Sequence, residues 1–178
     1  MLYMFLADGF EETEAIGSLD VIKRAAIDIK TVSIDKELVT GSHGVTVKAD
    51  ILKSEVNFDD MDGIILPGGL PGTTNLQNDG LVQKAISYCE EKGLLLAAIC
   101  AAPMVLGEAG VLNGKEAICY PGFEKHLKGA TISKEPCTTS KNVICAKGAG
   151  VSMVFGAAIV DYFKKGEGRK ILDAMQHA

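Results

Sequence analysis

The sequence has no tryptophan, only three histidines, and more acidic than basic residues. Its 18 lysines and arginines against 23 aspartates and glutamates give a net charge of −5, which offers no electrostatic attraction to nucleic acid or to an anionic membrane surface. The longest apolar run, residues 94–106, is too short to span a bilayer. The first residues show neither a basic segment nor a signal-peptide cleavage pattern. We therefore expect a cytoplasmic protein that binds neither nucleic acid nor membranes.

The five cysteines form no Cys-x-x-Cys pair, and their odd number and wide spacing argue against a disulfide framework or a zinc site. Reduced thiols fit a cytoplasmic protein better. No phosphate-binding motif of the form GxxxxGK[ST] or GxGxxG follows any apolar run. These observations predict a protein that uses no metal ion and no organic cofactor.

None of the three histidines stands out as a catalytic base. His43 lies in a predicted hairpin turn, His126 lies in a charged segment, and His177 is the penultimate residue. A Cys–His pair, one common way to activate a cysteine nucleophile, is therefore not evident.

What the sequence does contain is a regular alternation of apolar runs and helical segments. Buried strands are predicted at 1–7, 30–34, 63–66, 94–99, 116–120 and 142–147, helices at 12–26, 78–92, 104–109, 152–164 and 168–177, and a β-hairpin at 39–49. Such alternation is typical of a mostly parallel sheet covered by helices on both faces. The prediction is an α/β protein with one doubly wound sheet in three layers, forming a single domain over residues 1–178.

Turns follow several predicted strands at their carboxyl ends, which is where ligands bind in doubly wound sheets. We expect four of these turns to converge on one crevice; they are residues 8–10, 67–69, 100–102 and 120–122.

Cys100 ends the most apolar strand, and Ala101, Ala102 and Pro103 follow it before a helical segment. Proline is favoured in the first turn of a helix, so Cys100 is predicted to lie on a sharp strand-to-helix turn, as in a nucleophile elbow. The free N–H groups and the dipole of that helix predict a lowered pKa for the thiol. The alternative is a small cysteine that merely fills space.

Three carboxylates, Glu11, Glu12 and Glu14, begin the first predicted helix. Acidic residues are common in a first helical turn. However, Ile16 and Ile22 belong to an apolar stripe that is predicted to face inward, so one of these carboxylates is expected to be buried. Beside Cys100 it would have a raised pKa and could exchange protons with a substrate. The residues alone do not choose among the three.

The pair Gly68-Gly69 directly follows a predicted strand, where glycine permits a close approach of the backbone. Together with the N–H of Ala101, the N–H groups of this pair are candidates for an oxyanion hole. The alternative is an ordinary tight turn.

Five motifs follow one another along nearly the whole chain: LADGFEETEA at 6–15, IILPGGLPGTTNL at 64–76, GLLLAAICAAPMVL at 93–106, YPGFE at 120–124 and KGAGVSMVFGAAIVDYF at 147–163. As an ordered set they resemble the motifs of the DJ-1/ThiJ/PfpI superfamily. The E-E-x-E helix and the AICAxP elbow resemble the DJ-1 (ThiJ-like) branch. The resemblance implies a flavodoxin-like fold.

The resemblance also implies roles for site residues. Cys100 matches the reactive, oxidation-prone cysteine, and Glu14 matches the glutamate that contacts it. Gly69 and Ala101 match positions whose N–H groups face the sulfur or a bound oxyanion. Tyr120 stands where some members carry a histidine, and a phenol is not a base near pH 7. Ala101 replaces the histidine of the protease-like branch, which disfavours peptidase activity.

The function implied is a cysteine-dependent enzyme acting on small α-oxoaldehydes such as methylglyoxal and glyoxal, or on their adducts, as a glyoxalase III or a protein deglycase. A second class stays open, a non-enzymatic sensor of oxidative stress or a chaperone that responds through oxidation of Cys100. The ThiJ name is linked to thiazole monophosphate biosynthesis, for which these residues supply no phosphate site. Glutamine amidotransferase chemistry is disfavoured because a late His/Glu pair is missing.

The resemblance further implies a homodimer, with the first helix and the hairpin near the interface. In some members a hairpin residue reaches toward the site of the partner, and His43 occupies the matching position.

Overall fold

The computed structural model describes residues 1–177 and contains a central sheet with helices on both faces. The strands are β1 (Leu2–Leu6), β2 (Ile29–Ser33), β3 (Leu38–Thr40), β4 (Thr46–Lys48), β5 (Ile51–Leu52), β6 (Gly63–Leu66), β7 (Leu95–Ile99), β8 (Glu116–Ala117), β9 (Thr131–Ile132), β10 (Cys137–Ser140) and β11 (Val143–Ala146). Seven of them form the main sheet in the order β10-β11-β7-β6-β1-β2-β5. Within it only the β10–β11 pair is antiparallel. The predicted doubly wound sheet is confirmed.

The helices are α1 (Ser18–Arg24), α2 (Gly72–Asn78), α3 (Gly80–Lys92), α4 (Pro103–Glu108), α5 (Ser152–Phe163) and α6 (Glu167–Ala174). One apolar core lies between the sheet and α2, α3 and α4, and a second lies between the opposite face and α1, α5 and α6. No helix within residues 1–177 is both long enough and apolar enough to cross a membrane.

Strand β1 shows why this sheet is buried on both faces. Its five residues are all buried, and successive side chains point to opposite faces. Tyr3 and Phe5 therefore enter one core, while Leu2, Met4 and Leu6 enter the other. Each such side chain contributes about 1.5–3 kcal/mol when it leaves water, so a strand that is apolar at every position is stable only between two layers of helices.

The first helix departs from the predicted periodicity. A π-helical turn, Thr13–Gly17, precedes α1. A π-turn contains more residues than an α-turn and so shifts the phase of the residues around it. As a result Ile16, predicted to face inward, is 41% exposed, while Glu14 is buried. The inward face includes Ala15, Ser18 and Val21 instead.

Other elements also differ from their predicted extents. The predicted strand at 116–120 is reduced to β8, which pairs with β9 outside the main sheet. The helix predicted at 78–92 begins at Gly80, because the Asp79 side chain accepts the N–H groups of Leu81 and Val82 and caps it. Helix α2 and strands β5, β9 and β10 were not predicted. The hairpin is confirmed as β3 and β4.

Candidate active site

The carboxyl ends of β1, β6, β7 and β11 bring the predicted turns together. The N–H of Glu11, after β1, donates to the Gly68 carbonyl after β6 at 2.9 Å. After β7, the N–H of Cys100 donates to the Ala146 carbonyl at 2.9 Å, and the N–H of Tyr120 donates to the Cys100 carbonyl at 2.7 Å. Hydrogen bonds between loops therefore build one crevice from segments far apart in the sequence.

Cys100 occupies a strained turn at the base of this crevice. Its φ angle is +64°, in the left-handed region that side-chain-bearing residues rarely adopt. Backbone strain of this kind costs about 1–3 kcal/mol and persists where surrounding bonds hold it. The predicted elbow is therefore present. Helix α4 begins only at Pro103 and has six residues, so the thiol lies before it, and the helix is short.

Glu14 is the carboxylate that reaches the cysteine, and the π-helical turn carries it inward. The Glu11 carboxylate accepts the backbone N–H of Glu14 at 2.6 Å, which fixes the start of this turn. The Glu14 side chain is 1% exposed, and its Oε2 accepts the Gly68 N–H at 2.8 Å. The Cys100 thiol lies against the same carboxyl. Within residues 1–177, Oε1 of Glu14 has no hydrogen-bond partner.

The prediction of a lowered pKa for the Cys100 thiol is wrong. Burial raises the pKa of this thiol to about 12, the Glu14 carboxylate adds to the rise, and the N–H groups of Ala101 and Gly69 act in the opposite direction. Burial likewise raises the pKa of Glu14 to about 7, against the lowering effects of the Cys100 thiol and the Gly68 N–H. Between these values the pair holds one proton, so a thiolate forms when that proton moves to Glu14.

Two glycines allow this close contact. A Cβ on Gly68 would lie 2.7 Å from the Cys100 Cβ and 2.7 Å from Oε2 of Glu14, so any side chain here would push the pair apart. Gly69 has φ +88°, and a Cβ there would lie 2.4 Å from the backbone nitrogen of Glu11. The N–H groups of Gly69 and Ala101 lie near enough to the Cys100 thiol to lower its pKa. The two N–H groups are thus positioned to hold a negative charge.

A small cavity of about 210 Å³ opens above the sulfur. It is lined by Gly69, Leu70, Cys100, Ala101, Tyr120 and Phe123. Tyr120 is 52% exposed, so its ring forms an outer wall. Leu70 and Phe123 were not among the candidates taken from the sequence, although Phe123 belongs to the YPGFE motif. The cavity is large enough for a molecule of only a few carbon atoms.

Two histidines contact glutamates and lie away from the Cys100 sulfur. The ring Nδ1 of His126 lies 2.9 Å from Oε1 of Glu108, and that of His43 lies 2.9 Å from Oε2 of Glu12. Glu11, Glu12 and His43 lie close enough to hold a metal ion. Both oxygens of Glu12 already accept hydrogen bonds from the hairpin, so we assign no metal to this group.

Comparison with known proteins decides the family. The family model described as "DJ-1/PfpI family" matches residues 1–162. The chain belongs to the DJ-1/PfpI family. It is 35% identical over 159 residues to "Protein DJ-1 homolog B" of Arabidopsis thaliana, covering 88% of this chain and 36% of that protein. The chain therefore spans about a third of that relative's length.

Two further relatives of this DJ-1/PfpI chain are informative. "Deglycase PfpI" of Pyrococcus furiosus is 34% identical over 133 residues, covering 74% of this chain and 80% of that protein. The solved structure "Toxoplasma gondii DJ-1, oxidized" superimposes with a TM-score of 0.94 at 29% identity, covering 99% of this chain and 98% of that one. The likeness extends over the whole sheet and both helical layers, and confirms the fold and superfamily expected from the motifs.

Proposed function

We propose that this protein is a cysteine-dependent enzyme that acts on small α-oxoaldehydes such as methylglyoxal and glyoxal, or on their adducts, as a glyoxalase III or a deglycase. The observation that carries the proposal is the buried Glu14 carboxyl lying against Cys100 with its Oε1 unpartnered. Several relatives named deglycases support an activity on such compounds.

In the first step the Cys100 sulfur attacks the aldehyde carbon. The thiol proton passes to the Glu14 carboxylate, a carbon–sulfur bond forms, and the electron pair of the C=O bond moves to oxygen. The N–H groups of Gly69 and Ala101 hold this oxyanion until it takes up a proton. The product of the step is a thiohemiacetal bound to Cys100.

In the second step Glu14 moves a proton between two adjacent carbons. After Glu14 has given the thiol proton to the oxyanion, its carboxylate removes the hydrogen of the former aldehyde carbon and returns a proton to the neighbouring carbon. The hydroxyl proton of the former aldehyde carbon moves to the neighbouring ketone oxygen, so the first carbon becomes the carbonyl of a thioester and the second carries a hydroxyl. The first carbon is oxidised and the second is reduced, so no external oxidant is required. Water then hydrolyses the thioester, which frees Cys100 and releases a 2-hydroxy acid.

The direct test is the formation of lactate from methylglyoxal by the wild-type protein without glutathione. Because only the ionised Glu14 accepts the thiol proton, and burial raises its pKa to about 7, we expect kcat/KM to rise as the pH passes through about 7. The measurement is lactate production from about pH 5 to about pH 9. Absence of lactate throughout this range would exclude the glyoxalase activity on methylglyoxal, and a rate that falls with pH would exclude the assigned role of Glu14.

The alternative is a sensor that works through oxidation of Cys100. The similarity to a solved structure described as oxidized Toxoplasma gondii DJ-1 supports this alternative. Peroxide would convert the thiolate to a sulfenate and then to a sulfinate, each step transferring one oxygen atom and releasing water. As a sensor, the protein should gain two oxygen atoms at Cys100 alone under mild peroxide, measured by intact and peptide mass, and should turn over no aldehyde. Oxidation spread over all five cysteines would count against this alternative.

A further inference from the structure

A second cavity adjoins the first, and the steps above make no use of it. It has a volume of about 420 Å³ and is lined by Tyr120, Pro121, Lys147, Gly148, Ala149, Gly150 and Val151. The smaller cavity above Cys100 also has Tyr120 in its wall. A substrate whose aldehyde lies over Cys100 would reach the larger cavity by extending around the half-exposed Tyr120 side chain.

Lys147 is placed beside this space by the register of the sheet. Strand β11 runs parallel to β7, with Ala146 opposite Ile99. The Ala146 carbonyl accepts the N–H of Cys100 at 2.9 Å. Lys147 follows Ala146 directly, so it stands next to Cys100 on the neighbouring segment. Its side chain is exposed and forms no ion pair with the residues that the structure describes.

Tyr120 divides the two cavities in a defined position. A Cβ added to Gly148 would lie 3.4 Å from Cδ2 of Tyr120, in ordinary contact with the ring. The ring therefore lies against the Gly148 backbone. The backbone N–H of Tyr120 donates to the Cys100 carbonyl at 2.7 Å. Tyr120 thus stands between the cavity above Cys100 and the cavity that Lys147 lines.

We propose that the larger cavity binds an anionic substituent of the substrate, and that Lys147 is the residue that selects for it. The substrate class is then α-oxoaldehydes, or their adducts, that carry a carboxylate or a phosphate a short chain away from the aldehyde. This inference rests on the proposed function, because it assumes that Cys100 attacks the aldehyde. The ammonium group of Lys147, which lines the cavity next to the one above Cys100, attracts such anions and offsets the repulsion from Glu14 and from the net negative charge of the chain.

Alkylation of Cys100 tests the subsite without any enzymatic turnover. Iodoacetate and iodoacetamide both form a carbon–sulfur bond and release iodide, and they differ in a carboxylate. Replacing Lys147 by glutamine should lower the ratio of the iodoacetate rate to the iodoacetamide rate about three- to tenfold. Lys92→Gln removes the same charge from the end of α3, just before the amino end of β7 and so at the opposite end of that strand from Cys100, and should leave the ratio unchanged. Rates are measured at Cys100 by peptide mass.

Turnover of three aldehydes provides a second test and distinguishes a carboxylate from a phosphate as the anionic group of the substrate. Methylglyoxal is neutral, 4,5-dioxopentanoate carries a carboxylate, and hydroxypyruvaldehyde phosphate carries a phosphate. Lys147→Gln should lower kcat/KM about three- to tenfold more for whichever charged compound is the substrate than for methylglyoxal. An alkylation ratio that does not respond to Lys147→Gln, or that falls equally in Lys92→Gln, overturns the subsite. Alkylation that depends on Lys147 without turnover of any aldehyde supports the subsite and overturns the proposed function instead.

Discussion

Replacing Cys100 by serine should lower kcat/KM for the conversion of methylglyoxal to lactate by about three orders of magnitude or more. A serine hydroxyl is a far weaker nucleophile than a cysteine sulfur, and the only base beside it is Glu14, whose pKa is raised to about 7. Serine keeps a Cβ at the same strained φ of +64°, so the variant should fold with the elbow intact. The measurements are lactate formation and the thermal unfolding temperature of the same samples.

Cys137→Ser is the matched control for this experiment. Cys137 is half-buried on the edge strand β10, two strands from β7, and does not line the cavity above Cys100, so its replacement should leave kcat/KM within about twofold of the wild-type value. If Cys100→Ser retained the wild-type rate, the sulfur could not be the nucleophile, and a covalent mechanism at this site would have to be abandoned.

The elements that carry the site were predictable where the burial of apolar side chains determines the structure. Strands β1, β6 and β7 are apolar at nearly every position, and a run of that kind is stable only between two helical layers. The small residues after Cys100 and the proline at 103 likewise mark the elbow, because few other sequences permit so sharp a turn. The residues named from the motifs, Cys100, Glu14, Gly68, Gly69, Ala101 and Tyr120, do come together in one crevice.

The periodicity of the sequence could not predict which residues of the first helix face inward. A spacing of three and four residues assumes an α-helix, and it placed Ile16 inside and left three glutamates as equal candidates. The π-helical turn rotates Glu14 inward and Ile16 outward. Its start depends on the carboxylate of Glu11 and on the Gly68 N–H that donates to Glu14 from 54 positions away in the sequence. Contacts of that range leave no local pattern.

The prediction of a lowered pKa for the Cys100 thiol was wrong for a similar reason. The prediction considered only the dipole of the helix that follows Cys100. The pKa is raised by the desolvation of the sulfur and by the charge of Glu14, and both depend on how β6, β7 and the π-helical turn pack together. In the proposed mechanism the sulfur is therefore activated by transfer of its proton to Glu14 as the substrate arrives, and not by a thiolate that is present beforehand.

Replacing Glu14 by glutamine should therefore lower kcat/KM for methylglyoxal about 10²- to 10⁴-fold, the usual contribution of a general base. The glutamine amide still accepts the Gly68 N–H, so the shape of the site is preserved, but it cannot receive the thiol proton or carry a proton between carbons. The dependence of the remaining rate on a pKa near 7 should disappear. Glu91→Gln, an exposed replacement near the end of α3, is the control and should leave both the rate and its pH profile unchanged. A variant at position 14 that kept the wild-type rate would show that Glu14 moves no proton.

The same replacement should have the opposite effect on stability above neutral pH. The folded protein binds the Glu14 proton more tightly than the unfolded chain does, because burial raises this pKa from 4.5 to about 7. The stability that the carboxyl contributes is thus fully present below about pH 4.5 and is lost as the pH rises through about 7. At about 1.4 kcal/mol per pKa unit the loss is about 3 kcal/mol, which Glu14→Gln avoids. The difference in unfolding free energy between variant and wild type, measured by urea denaturation, should move in favour of the variant from pH 5 to pH 8. A constant difference across this range would mean that the buried carboxyl does not titrate there, and the proton transfer assigned to Glu14 would lose its physical basis.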